Sequence, residues 1–316
     1  MTRPDPIAAL LDERGVVVLD GAMATELERR GADLDDPLWS ARILLEAPAL
    51  VRAVHGDYFE AGADVAITAS YQATFEGLAR RGLPAPRARE VLELSVRLAR
   101  EARDASASPH ALVAASVGPY GAYLADGSEY RGDYGLGEAE LARFHAPRLD
   151  ALLAAGPDLV AFETIPALVE ARAQAALLAE RPGTWATFTF TARDARRTSA
   201  GDPLAECARF LDRVPGVAAI GVNCVAPELV PALVGELRKG TGRPIAVYPN
   251  SGETWSAATR GWTGERAGDF GDLARTWFDA GARLAGGCCR TTPGDVRRIA
   301  LALTSGRSTG GSRPGP

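Results

Sequence analysis

The stretch DLVAFETIPALVEARAQAALLAE (158–180) contains the cycle from which the fold is read. Residues 159–163 form an apolar run that closes on Glu163. A short turn ending in Pro166 follows, and 167–179 then sets apolar residues at helical spacing. The same order recurs along the chain. Further apolar runs stand at 16–20, 64–69, 111–117, 185–190, 219–224, 245–248 and 283–287, which makes eight candidate strands. Most are continuous rather than alternating, as parallel strands covered on both faces require. Amphipathic stretches at 49–61, 87–105 and 138–155 lie between them. Strand and helix in alternation imply parallel βαβ units. Eight such units predict an α/β fold, a single-domain (β/α)8 TIM barrel over 1–303, with an open doubly wound sheet as the competing architecture.

The rest of the composition agrees with one globular domain. The chain has 316 residues, 47% hydrophobic and 24% charged. With 35 basic against 40 acidic residues, its net charge of -5 argues against a general nucleic-acid surface. No apolar run reaches the roughly 18–20 residues of a membrane span. The opening MTRPDPIAALLDERG mixes proline, acid and base where a secretion signal needs an apolar stretch. A cytoplasmic protein with no membrane or nucleic-acid partner is expected. The polar segment 304–316 is expected to be a disordered tail.

In a barrel of this kind the working residues stand where strands end. The first run ends in Asp20-Gly21-Ala22, where an acid precedes small residues whose N–H groups could receive a carboxylate; a helix cap by Asp20 is the plainer alternative. The second ends in a polar cluster with Thr68, Ser70 and Tyr71, and the fourth in Glu163. The sixth ends in Asn223-Cys224, and the eighth in Gly286-Gly287-Cys288-Cys289. Three of the four cysteines therefore fall at one end of the barrel. Neighbours in a strand face opposite ways, so Cys288 and Cys289 can meet one ion only if the strand has ended and the chain turns. Gly286 and Gly287 permit that turn, and Thr292-Pro293 reads as a helix cap and first helical residue. Three thiolates without a histidine point to zinc with an open fourth position; three buried thiols or a vicinal disulfide are the alternatives. Cys207, at helical spacing with Leu204 and Leu211, reads as core. His55, His110 and His145 read as structural or solvated.

At these residues the sequence resembles the homocysteine S-methyltransferase family. The motifs are LDGAMATELERRG (19–31), ITASYQATFEGLARRGL (67–83), SVGPYGAYLADGSEYRGDYG (116–135), FETIP (162–166), GVNC (221–224), VYPNSGE (247–253) and GGCCRTTP (286–293). The long 116–135 stretch resembles the short bacterial enzymes that use S-methylmethionine. The resemblance implies Zn2+ held by Cys224, Cys288 and Cys289, and methyl transfer from S-methylmethionine to the zinc-bound thiolate of homocysteine, giving methionine. S-adenosylmethionine is a second donor the family implies. Glu163 and Asp20 would take the homocysteine ammonium, and the N–H groups of Gly21 and Ala22 its carboxylate. Asn223 would support the metal site, and Ser70 and Thr68 would contact substrate. Trp39, Tyr71 and Tyr123 are aromatic faces for the sulfonium, with Trp39 favoured by the family pattern. A monomer acting on small molecules is expected.

The chemistry agrees with such a site. An alkyl thiol with a pKa near roughly 8.5 is only slightly ionised at neutral pH, and coordination to zinc deprotonates it. Transfer from a sulfonium needs alignment more than a general base. A selenocysteine or S-adenosylmethionine-preferring methyltransferase of the same family is one alternative. A non-catalytic zinc- or redox-sensing barrel is the other.

Overall fold

A computed structural model describes residues 3–34, 40–108, 110–256 and 261–304. All eight apolar runs form parallel strands: β1 (Val17–Val18), β2 (Val65–Ile67), β3 (Leu112–Val117), β4 (Leu159–Ile165), β5 (Ala186–Phe190), β6 (Val217–Asn223), β7 (Ile245–Tyr248) and β8 (Leu284–Ala285). Each pairs with its neighbour in sequence, and β8 returns to pair with β1. A bridge between Leu19 and Val65 joins β1 to β2, so the ring closes as a (β/α)8 barrel. Among the described residues, no helix is long and apolar enough to cross a membrane.

Two apolar layers result from the strands' two faces. Inside the ring, small residues such as Ala114, Ala161, Ala219 and Ala246 pack with Leu159 and Leu284. Outside it, Val113, Val160, Phe162, Phe188 and Val222 pack against the helices. The helix Pro6–Arg14 was not foreseen as a barrel element. Asp5 caps it by accepting from the N–H groups of Ile7 and Ala8, at 2.9 and 3.2 Å. Its Ile7 and Leu10 join the inner layer and close the end of the barrel opposite the strand tips.

β1, β2 and β8 are shorter than the expected 16–20, 64–69 and 283–287, and where β1 meets β2 the reason is chemical. Acids do part of the stitching between β1 and β2. Asp64 donates its N–H to the Val18 carbonyl at 2.7 Å and accepts the Val18 N–H on its own carboxylate at 2.8 Å. Arg14 pairs with the other carboxylate oxygen. Two strand turns on, the Asp20 carboxylate accepts from Ile67 N–H at 2.8 Å. Side-chain bonds thus replace ladder bonds where the barrel closes.

The helices expected at 49–61, 87–105, 138–155 and 167–179 are Pro48–Glu60, Ala85–Ala105, Glu138–Ala154 and Leu168–Ala179. A short antiparallel hairpin, Thr254–Ser256 with Gly261–Thr263, was not expected and follows β7. Thr304 still belongs to the helix Pro293–Thr304; the remainder of the expected tail, 305–316, lies outside the described residues.

Replacing Asp64 by Ala leaves the buried Val18 N–H without its partner. We expect a loss of about 2–4 kcal/mol in unfolding free energy, read as a lower urea midpoint with an unchanged slope.

Candidate metal centre

Three sulfurs meet at the strand tips. Cys224 Sγ lies 2.6 Å from Cys288 Sγ and 3.8 Å from Cys289 Sγ, and Cys288 and Cys289 are 4.0 Å apart. They form the one His/Cys/Asp/Glu group among the described residues that could hold a metal ion. A tetrahedral zinc with sulfurs at about 2.3 Å needs sulfur–sulfur edges of about 3.8 Å. Two edges already have that length, and the third needs to open by about 1 Å. The donor set therefore fits a thiophilic cation.

The turn that presents the pair is built by close approach. The strand ends at Ala285, and Gly286 and Gly287 donate to the carbonyls of Val247 and Asp20, both at 3.0 Å. A Cβ at Gly286 would lie 2.6 Å from Leu19 Cβ, and one at Gly287 would lie 2.4 Å from Thr291 Oγ1. Only glycine fits at either position. Cys288 N–H then donates to Pro249 O at 2.7 Å, and Cys289 O accepts from Ser251 N–H at 3.0 Å, so the tip of β7 holds both residues. Thr291 donates its hydroxyl to Cys288 O at 2.6 Å and caps the turn. On the opposite side, Cys224 has a φ of +50°, a strained conformation for a residue with a Cβ. Its N–H donates to Tyr248 O at 3.2 Å. Arg290, adjacent to the pair, turns away to Glu253, with Nε 3.4 Å from Oε1.

The crowded sulfurs resist ionisation. Cys288 is held well above the ordinary thiol range, first by its hydrogen bond to Cys224 and then by burial. In Cys224 and Cys289 one sulfur contact lowers the pKa, and the other contact together with burial outweighs it. A bound cation is the partner that would let all three ionise.

Beside the sulfurs lies an acidic pocket. Glu163, at the tip of β4, accepts from the Ser116 hydroxyl, and the Tyr248 hydroxyl also bonds to it. Burial nonetheless raises its pKa to about 7, against the pull of those two donors. Asp20 is raised well above the carboxylate range by burial, eased by the bond from Ile67 and worsened by the charge of Glu163. Among the described residues, no basic side chain contributes to either acid. An ammonium group from outside would satisfy both.

Other expected residues occupy particular places. Asn223 is fully buried, and its amide is committed: Oδ1 accepts from Thr164 N–H and Nδ2 donates to Thr164 Oγ1, each at 2.8 Å. It clamps Thr164 at a φ of +60° and so fixes Glu163 relative to Cys224. Ser70 donates to Ser116 O at 2.8 Å, and Thr68 Oγ1 accepts from Ser116 N–H at 2.9 Å. These two hydroxyls, 2.7 Å apart, support Ser116 rather than open toward a ligand. The alternative reading of Asp20 as a helix cap does not hold: the helix Met23–Arg29 begins after Ala22, and Asp20 bonds to β2. Gly21 packs so closely that a Cβ would lie 2.8 Å from the Tyr58 ring. Ala22 N–H donates to Thr291 Oγ1 at 3.2 Å, a bond that an incoming carboxylate would have to share.

Among the aromatic residues, Tyr71 bonds through its hydroxyl to Thr164 and feels the charges of Cys224 and Glu163. Tyr123 faces elsewhere: the Arg80 guanidinium lies 4.3 Å from its ring centre and occupies it. Trp39 lies outside the described residues. Tyr130 was missed. It is 42% exposed, and the three cysteine sulfurs all act on its hydroxyl. Ser116, Thr164, Tyr248 and Thr291 were also missed as positioning groups. Their only sequence signal is that they flank strand tips. Cys207 is buried core, its thiol pushed up to about 12 mainly by burial. His55 and His145 are buried away from the cluster, and His110 is exposed beside Glu13.

Comparison with known proteins gives the same picture over nearly the whole chain. The family model described as homocysteine S-methyltransferase matches residues 17–303. The homocysteine S-methyltransferase YbgG of Bacillus subtilis is 52% identical over 314 residues, covering 96% of this chain and 100% of its own. The homocysteine S-methyltransferase of Escherichia coli is 50% identical over 306 residues, covering 95% and 99%. The solved structure of the homocysteine methyltransferase MmuM from Escherichia coli, in its metallated form, superposes with a TM-score of 0.85 at 48% identity. That match covers 94% of this chain and 99% of MmuM.

Removing one sulfur should abolish metal retention without unfolding the barrel. After dialysis against zinc and then buffer, Cys288→Ala is expected to retain less than about 0.1 equivalent of metal, with an unchanged far-UV circular dichroism spectrum. Stoichiometric metal in that variant would remove Cys288 from the centre.

Proposed function

The chain belongs to the homocysteine S-methyltransferase family, and we propose that it methylates homocysteine with S-methylmethionine, yielding two molecules of methionine, in a site whose metal is zinc held by Cys224, Cys288 and Cys289. The observation that carries this reading is the juxtaposition of three sulfurs with two buried acids that no basic side chain among the described residues neutralises. Zinc bound by the three cysteines would supply the Lewis acidity that ionises the acceptor thiol at neutral pH.

The chain's own residues bind and align. Glu163, braced by Ser116 and Tyr248, and Asp20, braced by Ile67, present carboxylates to the acceptor ammonium. The loop at Gly21 and Ala22, tied to the cysteine turn through Thr291, lies where the acceptor carboxylate would dock. Tyr71 and Tyr130 stand near the sulfurs and offer aromatic faces to a sulfonium. During transfer the acceptor sulfur forms a bond to the methyl carbon, and the broken bond's electron pair returns to the donor sulfur. The donor leaves as a neutral thioether, and the acceptor's thiol proton goes to solvent. No side chain needs to relay a proton at the methyl group, so positioning supplies most of the catalysis.

The direct test is methionine formation from homocysteine by zinc-loaded protein, with S-methylmethionine and S-adenosylmethionine supplied separately. S-methylmethionine is expected to give the higher kcat/KM. Methionine from neither donor would refute the reading, and a preference for S-adenosylmethionine would correct the donor.

Glu163 predicts a pH dependence of its own. Its carboxyl, raised to about 7, is neutral below that pH and pairs with an ammonium only once ionised. The affinity of the parent for homocysteine should therefore climb through about pH 7 more steeply than that of Glu163→Gln. The Gln variant should also show a homocysteine KM raised about 10–100-fold at pH 8. Titration calorimetry of both proteins from pH 6 to 8 checks this; parallel curves would remove Glu163 from acceptor binding.

A further inference from the structure

A third acid overlooks the same space. Glu129 lies in the turn Ser128–Tyr130, on the loop that follows β3. The main chain there is held hard. A Cβ on Gly121 would lie 2.3 Å from Glu129 N, so the turn rests directly on that glycine. Ser128 N–H donates to Asp126 Oδ1 at 2.9 Å, and Ser128 O accepts from Gly132 N–H at 2.8 Å. The next residue is Tyr130, on whose hydroxyl all three cysteines act.

The Glu129 side chain is placed but only partly satisfied: its own N–H and the charge of Arg131 ease the carboxylate, against burial and the charge of Asp126. Its Oε2 is buried and has no hydrogen-bond partner among the described residues. Glu129 is absent from the ion pairs among the described residues; its neighbour Arg131 is paired with Asp126 and Asp133, at 3.7 and 3.3 Å. Of the charged groups that act on Tyr71, Glu129 is the strongest, ahead of Cys224 and Glu163. The turn that holds Glu129 packs on β4, which carries Glu163 at its tip, so Glu129 stands beside the pocket lined by Tyr71 and Glu163. A buried carboxylate oxygen with no donor destabilises the fold unless a ligand supplies one.

Charge matching identifies that ligand. The acceptor amino acid has one ammonium, and Asp20 with Glu163 already provides two acids for it. The donor brings a sulfonium and an ammonium of its own. The sulfonium must point at the acceptor sulfur, which leaves the ammonium in need of an anion. We propose that Glu129 is a specificity-determining residue for the methyl donor, its carboxylate receiving the donor's α-ammonium group. This rests on the reaction proposed above.

The test compares two donors on zinc-loaded full-length protein: S-methylmethionine, and 4-(dimethylsulfonio)butanoate, which has the same skeleton without the amino group. The parent is expected to favour S-methylmethionine by about 100-fold in kcat/KM. In Glu129→Gln the preference should fall to within about 3-fold, through a raised KM for S-methylmethionine, while homocysteine KM and zinc content stay within about 2-fold. Glu129→Asp, which keeps the charge, should restore part of the preference. A parent that uses both donors equally, or a Gln variant that keeps the full preference, overturns the assignment. A parent inactive with S-methylmethionine overturns the reaction itself, a result distinct from either.

Discussion

A cluster of acidic groups that cannot all ionise without a cation governs the mouth of this barrel. Three thiols, Asp20 and Glu163 converge there, each raised in pKa, and the nearest arginine in sequence, Arg290, is turned to Glu253. Such a cluster costs free energy in a folded protein, because burial disfavours every charge and the charges repel one another. Its retention makes sense where the missing positive charge arrives from outside, as a metal ion and as the ammonium and sulfonium groups of substrates. The barrel supplies the rigidity that holds these ionisable groups together; the ligands supply the positive charge that lets them ionise.

That rigidity is visible in the backbone. Thr164, Cys224 and Arg290 all adopt positive φ, at +60°, +50° and +67°, and all stand at strand tips around the site. A residue with a Cβ enters this region at a cost of about 1–3 kcal/mol and stays only where its surroundings insist. Here they do. Asn223 bonds to Thr164 twice, and Tyr248 holds Cys224 by its carbonyl and Glu163 by its hydroxyl. The amide of Asn223 thereby couples the metal ligand next to it to the acid on β4.

Much of this was legible in the sequence, for identifiable reasons. Continuous apolar runs such as 245–248 have one use in an alternating chain, as strands buried on both faces, and all eight formed. The cysteines were legible because the barrel reading sends strand tips to one end, and because an adjacent pair after two glycines demands a turn. The supporting groups were less legible. Ser70 looks like a substrate contact in sequence and Asn223 like a support of the metal site, yet their polar atoms are spent on Ser116 and Thr164, which only tertiary packing decides. Tyr123 reads as an open aromatic face, and Arg80, far off in sequence, covers it. The helix Pro6–Arg14 carries an ordinary cap signal at Asp5 but nothing that announces a plug for the barrel floor.

The order of the ligands along the chain has a consequence for how the protein matures. Cys224 closes the sixth strand, but its two companions follow the eighth, and their turn is held by carbonyls from the seventh and by Asp20 from the first. A ribosome must therefore deliver the chain through the turn after the eighth strand, and that strand must dock between the seventh and the first, before the coordination site exists. Metal acquisition is thus a report on completed closure: a chain stalled one strand short has a single thiol at the rim and nothing with which to chelate.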